Sequence, residues 1–245
     1  MKNMENRLYA DLAWIWPIWG SVEEYRPESE DAVKMIREFS RIEPTTILDI
    51  TCGGGKNDFT LKKYFKVTGL DLSEAMLENA KKLNPECEYV KGDMRDFDLE
   101  RQFDAVYIND GIAYITTEQD LGKVFLKAFK HLKPGGVMIT IAEHFKGNFH
   151  ENQTKVFESQ SEEPKITYIE NNYDPNPDDT TYETTFVYLI REQGKLRIEN
   201  DFHTCGIFTL ETWRKKLNEA GFEVHERNQV YEGESYSVFI CVKPL

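Results

Sequence analysis

Ile47-Leu-Asp-Ile-Thr-Cys-Gly-Gly-Gly55 decides how this chain folds. A short, mostly apolar strand runs into three consecutive glycines. They let the backbone turn sharply and pass close beneath a ligand before a helix starts. A glycine cluster serves many ordinary turns, so its meaning depends on its neighbours. From Pro44 to Glu143, apolar runs too short for helices alternate with longer amphipathic stretches. Strands are predicted at 46–50, 66–71, 87–90, 103–108 and 137–142. Ser73 caps a helix to about Leu83, and Thr116 with Gln119 forms a capping box before the apolar set Leu121, Val124, Phe125, Ala128, Phe129 and Leu132. Pro134-Gly135-Gly136 ends that helix. Alternating strands and helices call for a parallel sheet covered on both faces, because parallel strands need crossover connections.

After Glu143 the pattern changes. Residues 146–164 read as polar loop, and then 165–170, 181–191 and 196–203 alternate as antiparallel strands, the last two joined by a turn at 192–195. The Asn171 to Asp179 stretch is too polar and proline-broken to pack. A helix capped by Thr209 and stopped by Gly221 follows, then strands at 222–230 and 236–242. The division predicted is an N-terminal helical segment and lid (1–43), an α/β core (44–145), an inserted antiparallel meander (146–206), and a helix and strands that complete the core (207–245). The fold class is α/β, a doubly wound, mostly parallel sheet with an inserted β meander.

The chain has 245 residues, 40% of them hydrophobic and 30% charged, enough to bury one large core. Its net charge of −13 repels phosphate backbones and anionic membranes, which argues against a nucleic-acid partner. No run approaches the roughly 20 apolar residues of a spanning helix, and Met1 to Arg7 carries both charge signs with no apolar run behind it, so a soluble, cytoplasmic protein without a membrane partner is expected. Cys52, Cys87, Cys205 and Cys241 are scattered and read as reduced thiols; the five histidines lack a ligand pair, and no metal is expected. Oligomeric state is not readable.

Acids follow the glycines on consecutive strands. Asp71, ending the second strand, can accept hydrogen bonds from both hydroxyls of a ribose, and Asp93 with Met94, ending the third, suits an adenine amino group and ring. Ligands in open α/β sheets sit at these carboxyl ends, so the three features describe one adenosine-sized site. A nicotinamide oxidoreductase competes for the pattern. Its Gly-x-Gly-x-x-Gly needs glycine at position 58, where Asp58 would repel a pyrophosphate. Asp49 also suits a ligand ammonium better than a diphosphate.

At these residues the chain resembles the class I S-adenosylmethionine-dependent methyltransferases. Asp49-Ile-Thr-Cys-Gly-Gly-Gly55 matches the first motif of that family, Asp71 its ribose acid, Asp93-Met94 its adenine position, and Leu132-Lys-Pro-Gly-Gly136 the turn before its fifth strand. Asp71-Leu-Ser-Glu-Ala-Met76 also follows the pattern, with Met76 packing on the adenine. The cofactor implied is S-adenosylmethionine, with Asp49, Thr51, Gly53, Gly55, Asp71, Leu72, Met76, Asp93, Met94 and Asn109 around it. Thr51 departs from the usual glycine or alanine, which puts cofactor affinity at issue. The meander, with Phe208-Thr-Leu-Glu-Thr-Trp213 and Ala220-Gly-Phe222, is similar to small-molecule N-methyltransferases acting on amino sugars and on glycine. An adjacent Tyr-Asp pair common there is split here into Tyr9 and Asp11 by Ala10.

Methyl transfer from a sulfonium is an in-line displacement with a neutral leaving group, so positioning and desolvation of the acceptor dominate. Candidates for the chemistry are Asp110 and Tyr114 after the fourth strand and His144 after the fifth; Glu143 stands beside the acceptor. Each also has a plain role as a turn, core or strand-end residue. Trp14, Trp16 and Trp19, with Tyr25 nearby, read either as packing on the core or as a lid over the sulfonium, and Trp14, Trp16 and Tyr25 are assigned to the substrate. Glu23 to Asp31 reads as a solvated face. The function expected is methyl transfer to a small-molecule acceptor, at an amine nitrogen; a non-catalytic adenosyl-binding regulator is the other class that keeps the same carboxylates.

Overall fold

The computed structural model describes residues 6–231 and 234–245. Residues 1–5 of the charged start lie outside the described residues. β1 (Thr46–Ile50), β2 (Lys66–Asp71), β3 (Glu88–Lys91), β4 (Phe103–Ile108) and β5 (Leu132–Ala142) pair in parallel in the order β5-β4-β1-β2-β3. Between them run α1 (Val22–Phe39, ahead of β1), α2 (Asp58–Leu61), α3 (Glu74–Leu83) and α4 (Glu118–His131). β1 and β4 are buried along their length, which is why they read as continuous apolar runs.

Successive residues of each strand serve opposite cores. Leu48, Ile50, Val106 and Ile108 meet Leu121, Val124, Phe125 and Ala128 of α4. Ile47, Ala105 and Tyr107 meet Ala32, Val33 and Ile36 of α1 and Leu61 of α2. A capping box of Ser21 and Glu24 starts α1, and Ser73 caps α3 by accepting from the Met76 N–H at 3.1 Å. The cap of α4 is Thr117, accepting from Asp120 N–H at 3.2 Å, one residue beyond the predicted Thr116 with Gln119. Thr117 wins because its side chain faces the free N–H groups of the first turn; the sequence offers two adjacent threonines with the same chemistry.

The inserted segment is a four-stranded antiparallel sheet in chain order: β6 (Gln153–Glu158), β7 (Lys165–Tyr173), β8 (Thr181–Glu192) and β9 (Lys195–Gly206). β6 corrects the loop reading of 146–164. As an edge strand it has one neighbour and no fully buried face, so its alternation is masked by polar residues. Asn171, Asn172 and Tyr173 also belong to β7 rather than to a loop that does not pack; buried Asn172 accepts a 2.6 Å hydrogen bond from Thr184. Gln193 and Gly194, both at positive φ, make the two-residue turn between β8 and β9.

The inner face of this sheet packs on the N-terminal segment through Ile166, Tyr168, Phe186, Tyr188 and Ile190, against Leu8, Leu12 and Ile15. α5 (Leu210–Glu219) then lays Trp213 on Phe239, ring centroids 5.5 Å apart, and β10 (Glu223–Tyr231) and β11 (Glu234–Val242) finish the large sheet as β10-β11-β5 with antiparallel pairing. The carboxyl ends of β1, β2, β4 and β5 therefore open toward the N-terminal segment and the meander.

Candidate active site

Thr51, Gly53 and Gly55 all hold positive φ, so the turn after β1 curls tightly. Thr51 and Cys52 donate their N–H groups to Leu70 O at 2.7 and 3.1 Å, which ties the turn to β2. Asp71 then accepts from Gly53 N–H at 2.9 Å through Oδ2 and from Ser73 N–H at 2.8 Å through Oδ1. Burial raises its carboxyl above the usual range, and those backbone donors pull the other way. Beneath the turn, buried Asp49 and Asp58 face each other. Burial first and Asp58 second push Asp49 well up, and its Oδ2 has no partner. Asp58 is pushed up to about 6 by burial, against hydrogen bonds with Asp49 and with Tyr89, whose hydroxyl donates at 2.9 Å. Two carboxyls this close share a proton. Asp58 is thus part of the support under the turn, not a group facing a phosphate.

On the acceptor side, β4 ends at buried Asn109, and a 3-10 turn carries Asp110 and Tyr114. Asp110 is exposed at the mouth of the cleft, yet the protein crowded around it first and Glu143 second push its carboxyl up to about 7. Glu28 of α1 joins them, pushed up to about 8 by burial and then Asp110, while its Oε1 accepts from the Tyr107 hydroxyl at 3.1 Å. This corrects the solvated reading of 23–31: Glu23, Glu24 and Arg26 are exposed, but Glu28 and Ser29 lie on the stripe of α1 turned to the sheet. His144 Nε2 stands 3.9 Å from Glu143, with Tyr182 edge-on at 5.5 Å. Asn109, Asp110, Glu143, His144, Tyr182 and Trp213 line one small cavity. Tyr114 lies deeper, its hydroxyl 2.9 Å from that of Tyr9 and 2.5 Å from His203 Nδ1.

The tryptophans divide. Trp16 lies flat on the glycine turn: a Cβ on Gly54 would come within 2.1 Å of its ring, and its buried Nε1 has no partner. Lys56 sits between Trp16 and Tyr25, its ammonium 4.8 and 5.1 Å from their ring centroids and bonded to Trp19 O; burial pushes it down to about 8. Trp19 packs on Tyr168 at 4.1 Å. Trp14 is set apart. It is 38% exposed beneath the Arg197 guanidinium, so its assignment to the substrate is corrected. Met76 is corrected too: it is wholly enclosed with Leu12, Ile15 and Tyr188, because the N-terminal segment covers the first turn of α3 and leaves no face for an adenine. Leu72 projects at 63% exposure at the rim, Met94 packs on the core, and Asp93 is held by Arg95 through bonds of 2.6 to 3.2 Å that lower its carboxyl.

Residues 47–136 match the family model described as a methyltransferase domain. That stretch, from β1 to the start of β5, is a methyltransferase domain. The methyltransferase is 35% identical over 122 residues to a dTDP-3-amino-3,4,6-trideoxy-alpha-D-glucopyranose N,N-dimethyltransferase of Streptomyces venezuelae, a match covering 49% of this chain and 51% of that protein. It is 29% identical over 201 residues to a dTDP-4-amino-2,3,4,6-tetradeoxy-D-glucose N,N-dimethyltransferase of Saccharopolyspora spinosa, covering 81% and 79%. The match thus spans about half of the first relative and most of the second. The crystal structure of Streptomyces venezuelae DesVI has the same fold, with a TM-score of 0.84, 24% identity and coverage of 98% of this chain and 99% of that one.

S-adenosylmethionine is the cofactor of this methyltransferase, and the residues present fit it. The tight turn, the unpartnered Asp49 oxygen and the two-pronged Asp71 offer what a nucleoside with an amino-acid tail needs. Glu28, Lys56, His203 and Asp201 are the features that sequence reading missed. Glu28 hid in a charge run, Lys56 looked like a surface lysine after a glycine turn, and the pair on β9 comes near the site only through tertiary folding. The i, i+2 spacing of Asp201 and His203, which puts both on one strand face, was the available signal.

Proposed function

We propose that this enzyme transfers a methyl group from S-adenosylmethionine to the amine nitrogen of a small molecule, an amino-deoxy sugar carried on a nucleotide. The carrying observation is the trio Glu28, Asp110 and Glu143 gathered beside Asn109 at the ends of β4 and β5, half-buried to exposed at the mouth of the cleft, since carboxyls crowded together favour a cationic guest and disfavour an anionic one. The sugar class is supported by the names of the two sugar N,N-dimethyltransferases above. Asp71 and Met94 would hold the nucleoside, Asp49 the ammonium tail, and Trp16 would cover the turn. When bound, S-adenosylmethionine supplies a methyl group on a sulfonium. The protein's part is to orient the acceptor nitrogen in line, exclude water and accept one proton. A cytoplasmic setting belongs to this reading, supported by four cysteines that are all free thiols; among the described residues no helix is long and apolar enough to cross a membrane.

The test is methyl transfer from labelled donor to dTDP-linked amino-deoxyhexoses and to the same sugars with hydroxyl replacing the amine. Label on nitrogen, and none on the hydroxy compounds, is expected. Transfer to the hydroxy compounds alone would remove the amine reading.

A further inference from the structure

We infer that His203 and Asp201, on β9 behind the cleft, receive the proton that the acceptor's ammonium group loses before methyl transfer, by way of Tyr114 and Tyr9. The inference rests on the amine reading above and adds positioning residues that act through the two tyrosines.

Asp201 is fully buried and His203 is 2% exposed. The Asp201 carboxylate accepts from the Arg7 N–H at 2.7 Å, the Leu8 N–H at 2.6 Å and His203 Nε2 at 2.8 Å. A carboxylate so placed fixes the proton of His203 on Nε2 and leaves Nδ1 bare. Nδ1 stands 2.5 Å from the Tyr114 hydroxyl, so Tyr114 donates to it. The Tyr114 and Tyr9 hydroxyls meet at 2.9 Å and either can donate to the other; with the Tyr114 proton directed at Nδ1, Tyr9 is the donor. Tyr9 in turn is tied to the cofactor side of the cleft, where its carbonyl accepts from the Ser73 hydroxyl at 2.5 Å and its ring packs against Trp16. The donors therefore point one way, from the cleft to β9. The Tyr9 oxygen is the open end of the row, on the side of Asp110 and Asp71, where the proposed acceptor would lie.

Such a row has a definite use. An ammonium proton passes to the Tyr9 oxygen as Tyr9 passes its own to Tyr114 and Tyr114 passes its own to His203 Nδ1. The products are a neutral amine and an imidazolium beside the Asp201 carboxylate. The amine lone pair then forms the new C–N bond while the C–S bond breaks, its electron pair staying on sulfur. The new C–N bond leaves the product nitrogen as an ammonium, so once the product has left, the imidazolium returns its proton along the same row to water in the cleft. Burial holds both phenols well above their usual range, so neither carries a standing negative charge and the proton is stored on the imidazole. The other groups around the row are Tyr188 of β8, near Asp201; Cys205 of β9, near both tyrosines; Asp71 and Asp110, near Tyr9; Tyr182 of β8, near Tyr114; and Glu199 and Asp11, which neutralise Arg7.

The same bonds would also arise if Asp201 merely pinned residues 7–8 to β9, and the test separates the two. His203→Gln keeps a donor toward Asp201 but removes the bare nitrogen, and Tyr114→Phe interrupts the row at its middle. With a dTDP-linked amino-deoxyhexose, each variant should lose about 100-fold in kcat near pH 7, with S-adenosylhomocysteine affinity and thermal midpoint close to wild type. The loss should shrink as pH rises toward the range where the free amine is already neutral. An equal loss at every pH, or one tracked by affinity or melting, overturns the inference. Independently of any acceptor, nitrogen chemical shifts of His203 should show Nε2 protonated and Nδ1 bare near neutral pH; the opposite tautomer overturns the relay and leaves the amine reading standing. Failure of the wild type to methylate any amine of the panel, while still binding S-adenosylhomocysteine, removes the amine reading and the relay with it.

Discussion

Thr51 holds φ +67°, a conformation that costs a branched L-residue about 1–2 kcal/mol, at the position where the cofactor turn leaves β1. Its side chain fills the space next to Gly111: a Cβ added there would lie 2.3 Å from that of Thr51. The two residues are therefore read together. Gly111→Ala should destabilise the fold by about 1–3 kcal/mol through overpacking, and adding Thr51→Gly should recover most of it; chemical denaturation of the four proteins in this cycle would show additive effects if the contact were unimportant. Asp71 is simpler. Its Oδ1 and Oδ2 already serve two backbone donors, and Asp71→Ala should weaken S-adenosylhomocysteine binding by about 1–3 kcal/mol in calorimetry, with unchanged affinity in a folded variant removing it from the site. The cofactor acids were legible because each follows a strand whose apolar run is plain in the sequence. Met76 and Trp14 were not, since which way an aromatic or thioether side chain turns is settled by the segment that covers it.

The segment from Arg7 to Trp19 is two short 3-10 turns, too little helix to hold itself in place. Its position comes from packing on β7 and β8 and from Trp16 on Gly54. Gly54→Ala should lift Trp16 from the turn, shift tryptophan emission to the red and lower S-adenosylhomocysteine affinity about tenfold, on the scale of one lost aromatic contact; unchanged emission would show that the segment adjusts. Strand readings at 46–50, 66–71 and 103–108 coincide with β1, β2 and β4 because both faces of those strands are buried. β6 escaped notice for the converse reason. It pairs on one side only, and exposed Val156 replaces the regular apolar face.

Across the whole molecule, carboxyls are crowded together at a cost that depends on pH. Asp58, Asp110 and Glu28 are pushed up to about 6, 7 and 8, so between about pH 4 and 8 the folded chain binds more protons than the unfolded one. Stability from these groups is then fully present at the acid end of that window and lost as pH rises through their folded values; Lys56, pushed down to about 8, acts only above it and in the opposite sense. Urea unfolding should give a larger free energy at pH 6 than at pH 8, and Glu28→Gln should flatten the slope; a rise in stability toward pH 8 would contradict the raised ionisation range of these groups. A different consequence attaches to the place where the antiparallel sheet leaves and rejoins the core. Phe145 and Phe208 form a parallel bridge, and Lys146 N–H donates to Phe208 O at 3.1 Å, so the whole 60-odd-residue excursion hangs from one narrow neck. A module attached in that way can lengthen, shorten or be exchanged without disturbing a single pairing of the large sheet, provided the N-terminal segment it clasps and the 110–116 turn that touches β9 change with it. Inheritance could thus retune what the enzyme accepts while the adenosine site stays as it is, and a graft of this neck-to-neck stretch into a related scaffold would have to carry residues 7–19 and the 110–116 turn along.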